Sequence, residues 1–332
     1  MSHVKVLFGT ASFGSLPTEA SQEFLDLLKK YNVKDLDTAN RYVRVHLQIS
    51  RTGADYMSPQ EGSERALKEL GATSSFTIHT KSPGFAKGSG TKASILAAAK
   101  QSFEDLGVNS VETYFVHSPD PYTPIEQTVD GMQLVYASGK YKHFGLSNFK
   151  PEDVRKVYDY AKSKGYVLPT VFQGNYNPVA RHYDTTLFPL LRELNIAFYA
   201  YSPLAGGFLV KDAQTLNTGG GQGRWDPTSF LGKLYNEKYT KPSLLEALSE
   251  WDAIANEARV SKAALAYRWV MYNSKLSAEH GDGIIIGATR GSQLAETLRA
   301  IEDGPLDESI AKRIDKVWEL VKDEAPVDNF NP

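Results

Sequence analysis

Apolar residues along the 332-residue chain fall into two alternating rhythms. Short runs rich in β-branched and aromatic side chains, "VKVLFGT", "KDLDTA", "SFTIHTK", "VETYFVH", "KHFGLSN", "TVFQGNYN", "IAFYAYS" and "GIIIGA", predict eight strands. Between them, "SQEFLDLLKKY", "KASILAAAKQSFEDLG", "IEQTVDGMQLVYASGK", "PEDVRKVYDYAKSKG" and "LFPLLRELN" repeat apolar residues at intervals of three and four, the stripe of an amphipathic helix. Strands that alternate with helices return to the sheet by crossovers, which makes the sheet parallel. Eight such units predict an α/β fold, a (β/α)8 TIM barrel, with an extra C-terminal helix over "DESIAKRIDKVWELVKD" and a long loop after strand seven. No Pro-, Gly- or Ser-rich linker interrupts the pattern, so residues 1–332 read as one barrel domain.

The rhythm fails in two places. Residues 43–60, between strand two and its helix, have no periodicity and read as an atypical insertion. Residues 204–230, "LAGGFLVKDAQTLNTGGGQGRWDPTSF", are too Gly-rich and too long for an ordinary barrel connection. A loop there rises from the face where barrel enzymes build their sites, so a lid and a plain surface insertion are both open readings.

Charge narrows the partners. Lys and Arg number 37 against 39 Asp and Glu, interspersed, which argues against a nucleic-acid or anionic-membrane surface and leaves small neutral or anionic ligands. The absence of cysteine removes thiolate nucleophiles, thiolate metal sites and disulfides. With no signal pattern at "MSHVKVLFGT" and no apolar run near membrane length, the expectation is a soluble, cytoplasmic protein.

In a barrel, the informative positions are polar residues at strand C-termini. These are Asp37 and Tyr42 after strand two, Lys81 ending strand three, His117 ending strand four, Ser147 and Asn148 ending strand five, and Gln173 ending strand six. Singly, each reads more readily as ordinary structure, Asp37 as a helix cap, Tyr42 as a core aromatic, Lys81 as a solvated charge and His117 as a buried imidazole. As a set, Asp, Tyr, Lys and His can deliver a proton to a carbonyl oxygen. A phenol titrates near ~10, and a neighbouring ammonium stabilises its phenolate and lowers that value. Asp37 would hold the Lys81 ammonium while His117 donates a hydrogen bond to the substrate oxygen. Neither a metal nor a covalent nucleophile is needed.

The segments "LDTANRY", "IHTKSP", "YFVHSPD", "FGLSNF" and "FQGNYNP" closely resemble the aldo-keto reductases, NADPH-dependent (β/α)8 enzymes that reduce aldehydes and ketones. The resemblance runs from "FGTASFG" to "IIIGATRGSQLAETL", and "FYAYSPLAGGFL" with "AEHGDGIIIGATR" is most similar to the branch of aflatoxin-aldehyde and succinic-semialdehyde reductases. It implies Tyr42 as proton donor, completed by Asp37, Lys81 and His117. It also implies Ser147, Asn148 and Gln173 on the nicotinamide carboxamide and Tyr201 stacked on the ring, with Thr10, Ser202, Leu204, Gly206, Arg290 and Gln293 as further cofactor contacts. Amide and hydroxyl side chains suit a carboxamide, and a flat aromatic covers one face of the ring.

Cofactor type is read from charge. "GGGQGRW" fails the spacing of a Rossmann fingerprint. "GATRGSQ" after strand eight instead offers backbone amides at a helix start and Arg290, whose fork suits a 2′-phosphate, so NADPH is expected over NADH. A solvated helix-end charge is the plain alternative for Arg290. Thr297 stands where many relatives carry Asn for the adenine. The competing functional reading is an NADPH-binding regulatory or sensor subunit on the same barrel. The expected partner is a small carbonyl substrate, and the chain is expected to be a monomer or homodimer.

Phe13, Phe208, Trp225 and Phe330 are candidates for an apolar pocket and equally for ordinary packing. The C-terminus "APVDNFNP" lacks the arginine seen in relatives that take carboxylate-bearing aldehydes, which favours a neutral or aromatic aldehyde. Without Val43–Gln60 the chain reads "DTANRYEGSERALKELG", the family's tight spacing. The eighteen residues are a whole number of codons that can begin GTACGT, contain GCTGAC and end CAG, so a retained intron and a genuine loop stand as alternatives.

Overall fold

The computed structural model describes residues 4–39, 62–217, 225–328 and 330. In chain order its elements are β1 (Lys5–Gly9), α1 (Thr18–Lys30), β2 (Asp35–Asp37), α2 (Ser63–Glu69), β3 (Thr77–Ser82), α3 (Lys92–Leu106), β4 (Val111–Val116), α4 (Ile125–Ala137), β5 (Tyr141–Ser147) and α5 (Pro151–Lys164). They continue with β6 (Pro169–Asn175), α6 (Tyr183–Thr186), α7 (Phe188–Glu193), β7 (Ala197–Tyr201), α8 (Ala213–Asn217), α9 (Phe230–Tyr239), α10 (Pro242–Ala258), α11 (Lys262–Arg268), β8 (Gly283–Ile286), α12 (Gly291–Glu302) and α13 (Glu308–Val321). The strands are parallel and close into a barrel in sequence order, as the alternating rhythm predicts, and α13 is the extra C-terminal helix. Helices α8 to α11, between strands seven and eight, were not separated by the periodic reading.

Local chemistry sets the boundaries. Helix α5 starts with Pro151 in its first turn beside Glu152 and Asp153, and ends with Lys162 and Lys164 before Gly165 at φ 66°. Proline lacks only an N–H that would be orphaned there, the charges oppose the helix dipole, and glycine takes the left-handed exit without strain. Thr91 caps α3 by accepting from the Ser94 amide, and Gly107 ends it at φ 65°.

Two compact units are distinguished. One comprises residues 7–170 and 287–291. Its strands pair in the registers Asp37 with His79, Lys81 with Phe115, and Phe115 with Gly145. A Cβ on Gly145 would lie 2.1 Å from the Phe115 ring, so glycine makes the space that Phe115 fills, and Lys81 Nζ lies 5.8 Å from the centre of that ring. Phe8, Phe13 and Phe24 pack together with centroids 5.6–6.1 Å apart. Phe13 is thus core.

The other unit comprises residues 1–6, 171–286 and 292–332. Its core gathers Phe172, Tyr176, Tyr183, Phe188 and Phe198. The buried Asp282 before β8 accepts from Arg192, from the Phe198 amide and from the Ser277 amide. In the candidate lid, Phe208 stacks on Trp225 and Tyr239, and the Trp225 indole donates to the Gly206 carbonyl at 2.9 Å. Phe208 and Trp225 are therefore packing residues, buried to 0 % and 3 % exposure. The described ends of the segment are tied into this unit; residues 218–224 lie outside the described residues. The amide of Phe330 donates to the Asp328 carboxylate at 2.7 Å. Among the described residues no helix is long and apolar enough to cross a membrane.

Candidate active site

Asp37 is the last residue of β2 and Lys81 the fifth of β3, and both are buried. Lys81 Nζ donates to both carboxylate oxygens of Asp37 at 2.8 Å and to the Thr38 carbonyl at 2.9 Å. Three donors thus meet three acceptors, the condition under which a buried ammonium is tolerated. Burial lowers the proton affinity of Lys81, and Asp37 opposes that shift. His117 follows β4 directly. Desolvation, reinforced by the Lys81 charge and opposed by Asp37, pushes its pKa down to about 3, so at neutral pH it is an uncharged imidazole with one N–H to give.

The end of β5 fastens onto His117. Asn148, in the left-handed region at φ 63°, donates from Nδ2 to the His117 carbonyl at 2.9 Å and to Ser147 Oγ at 3.1 Å. Asn tolerates that backbone better than most residues, which explains its place at this exit. Thr10 is fully buried; its hydroxyl donates to the Asp37 carbonyl at 3.1 Å and is paired with Ser63 Oγ at 3.0 Å. One unit therefore brings together Asp37, Lys81, His117, Ser147, Asn148 and Thr10. Tyr42, like the insertion 43–60, lies outside the described residues.

Gln173, Tyr201, Ser202, Leu204, Gly206 and Gln293 belong to the other unit. Gln173 does not end strand six: it is the fifth of the seven residues of β6 and pairs with Tyr199, and the ladder continues to Asn175 opposite Tyr201. The chain leaves β7 through Ser202 at φ 54°, Ala205 at φ 52° and Gly206 at φ 67°. The Ser202 carbonyl accepts from Asn177 Nδ2 and from the Ala205 amide, and the Leu204 carbonyl accepts from the Gly207 amide. A Cβ on Gly206 would fall 2.0 Å from the Tyr235 ring. Gly206 is required for packing whatever else it contacts.

Arg290 is exposed and immediately precedes α12. A Cβ on Gly291, the first residue of that helix, would meet Glu23 Oε1 at 2.0 Å, so a carboxylate lies against the helix start. Thr297 is buried within α12.

The reading of strand ends missed three residues. Phe85, at φ 62° and 42 % exposed, sets its ring edge-on to His117 with centroids 4.9 Å apart. Only its place four residues after Lys81 could have signalled it. Glu64 is a buried carboxylate taking a 2.5 Å hydrogen bond from Thr80. Asn175 stands two positions after Gln173 on the same strand face, and its Nδ2 has no hydrogen-bond partner among the described residues. The period of two could have found it.

The Asp37–Lys81 pair and the uncharged His117 stand at barrel strand ends, and comparison with known proteins gives the family. The Aldo/keto reductase family model matches residues 5–319, and the chain belongs to that family of oxidoreductases. It is 40 % identical over 332 residues to the oxidoreductase sirO of Leptosphaeria maculans, covering 97 % of this chain and 95 % of that one. It is 34 % identical over 239 residues to human aflatoxin B1 aldehyde reductase member 2, covering 70 % of this chain and 66 % of the relative. Human aflatoxin B1 aldehyde reductase member 4 is 30 % identical over 305 residues, 88 % of this chain and 92 % of the relative.

Proposed function

We propose that the protein reduces an aldehyde or ketone to an alcohol with NADPH, using Tyr42 as proton donor. The observation that carries this reading is the buried Lys81 ammonium, held by Asp37 and the Thr38 carbonyl beside an uncharged His117. The nicotinamide, when bound, supplies the hydride. The protein's own residues manage the proton. Lys81 stabilises the phenolate that Tyr42 becomes, and Asp37 keeps the ammonium oriented. The neutral imidazole of His117 donates to the carbonyl oxygen without competing for its proton, and charge that develops there is met by preorganised donors.

The donor set fits a nicotinamide carboxamide. Ser147 and Asn148 at the end of β5 and Gln173 within β6 are buried hydroxyl and amide groups, able to give and accept hydrogen bonds. Tyr201 supplies the aromatic surface. Arg290 and the amides that open α12 suit the phosphate of NADPH, and Glu23 against Gly291 sets an opposing charge. The exposed ring of Phe85 beside His117 favours a neutral, flat or apolar substrate over a dicarboxylic semialdehyde.

The test is NADPH oxidation against a panel of aldehydes by the parent and by Tyr42→Phe. The variant is expected to keep cofactor binding, read by nicotinamide fluorescence, and to lose at least a hundredfold in turnover, since a positioned acid contributes ~10²–10⁴-fold. Near-parent turnover in Tyr42→Phe would end this reading.

A further inference from the structure

Helix α2 opens with two residues that grip the strand ends on either side of the Asp37–Lys81 pair. Ser63 Oγ is hydrogen-bonded to Thr10 Oγ1 and to Thr38 Oγ1, and Thr38 directly follows Asp37. Glu64 Oε1 accepts from Thr80 Oγ1 at 2.5 Å, and Thr80 directly precedes Lys81. Glu64 and Thr80 are buried, at 1 % and 0 % exposure. A carboxylate is costly in such a place, and the proton relay described above has no use for it. Asp37 alone already satisfies two of the Lys81 protons.

We propose that Glu64 is a positioning residue of the reductase site, holding through Thr80 the end of β3 that carries Lys81 and favouring the protonated ammonium by its negative charge. The inference rests on the assigned role of Tyr42. Glu64 bonds Thr80, which faces the side of β3 opposite to Lys81, so its charge reaches the ammonium through space and ranks after Asp37. Other titratable groups on these elements are His117, held neutral, Tyr114 of β4, whose phenol is pushed up chiefly by burial and then by the Glu64 charge, and the buried His79 paired with Asp35 at 2.9 Å, each two positions before Lys81 and Asp37 on its strand. Burial works against the Lys81 ammonium, and the Glu64 charge favours it, after Asp37. Without Glu64 both Lys81 and Tyr42 would release their protons more readily, and the acid form needed for carbonyl reduction would fail at lower pH.

Glu64→Gln keeps the shape and removes the charge. The basic limb of kcat/KM for aldehyde reduction is expected to move to lower pH by roughly half to one unit. The pH at which Lys81 Nζ loses its proton, read by 15N NMR in the cofactor-free protein, should move the same way. The double variant Glu64→Leu/Thr80→Val removes both partners and leaves neither unpaired, providing a second neutral form should the amide fold poorly. Glu64→Asp, which retains the charge, should restore the limb while leaving kcat reduced. Neutral variants with parent-like thermal stability and NADPH affinity, whose basic limb and Lys81 titration both coincide with the parent, would overturn the proposal. Retained turnover in Tyr42→Phe would instead overturn the carbonyl-reduction reading, and the Lys81 titration would still judge Glu64.

Discussion

The Asp37–Lys81 pair makes a two-sided prediction about stability. Its side chains are 2 % and 0 % exposed, and the ammonium meets three acceptors within 2.9 Å. Lys81→Met strands a carboxylate, and Asp37→Asn strands an ammonium; removing one partner of a buried pair costs about 3–5 kcal/mol. Each stranded group can shed its charge, and does so in opposite directions. In Lys81→Met the stranded carboxylate is relieved only by taking up a proton, so the deficit is full at alkaline pH and shrinks as pH falls. In Asp37→Asn the pKa of Lys81, already lowered by burial, falls further below its unfolded value near ~10.4. There the deficit is full at acid pH and shrinks as pH rises. Urea denaturation from pH 5 to 8 for the first variant and from 7 to 10 for the second reads both slopes, with the parent at each pH as reference. Deficits below about 1 kcal/mol, or slopes of the same sign, would refute the account of a dry, fully paired ammonium.

Cofactor choice and the insertion give two further expectations. Replacing Arg290 by Gln should weaken NADPH by ~1–3 kcal/mol and spare NADH, whereas Glu23→Gln, which removes a carboxylate from the head of α12, should strengthen NADPH relative to NADH; fluorescence titration with both cofactors checks each. A chain lacking Val43–Gln60 should fold, bind NADPH and turn over faster than the full chain, because a ~1 Å displacement of Tyr42 can cost two orders of magnitude in rate. Steady-state kinetics on both forms decide it, and transcript sequencing decides whether the segment is a retained intron; a slower deleted form would make the segment a working part of the site.

What the sequence determined by itself is what periodicity and turn chemistry encode. Each of the eight observed strands begins within two residues of its expected apolar run, because a strand buried on both faces writes itself as a continuous β-rich stretch. Helix α5 is bracketed by its proline and glycine. That Asp37, Lys81, His117, Ser147 and Asn148 stand at or beside strand ends was legible from the apolar runs they close, and the order of their motifs pointed to the family to which the chain belongs. Tertiary structure decided everything that depends on what lies opposite a residue. Phe13, Phe208 and Trp225 became packing because facing aromatics cover them, which no linear pattern states. Thr10 turned toward the Asp37 backbone and Ser63, and Glu64, on which the sequence reading placed no role, became a buried carboxylate against Thr80. Phe85 reached His117 only through a left-handed backbone turn. Burial and pairing arise between segments far apart in the chain, and proton affinity follows from burial and pairing. The neutral His117 and the paired Lys81 are therefore properties of the fold, while the residues able to become so are already written in order along the sequence.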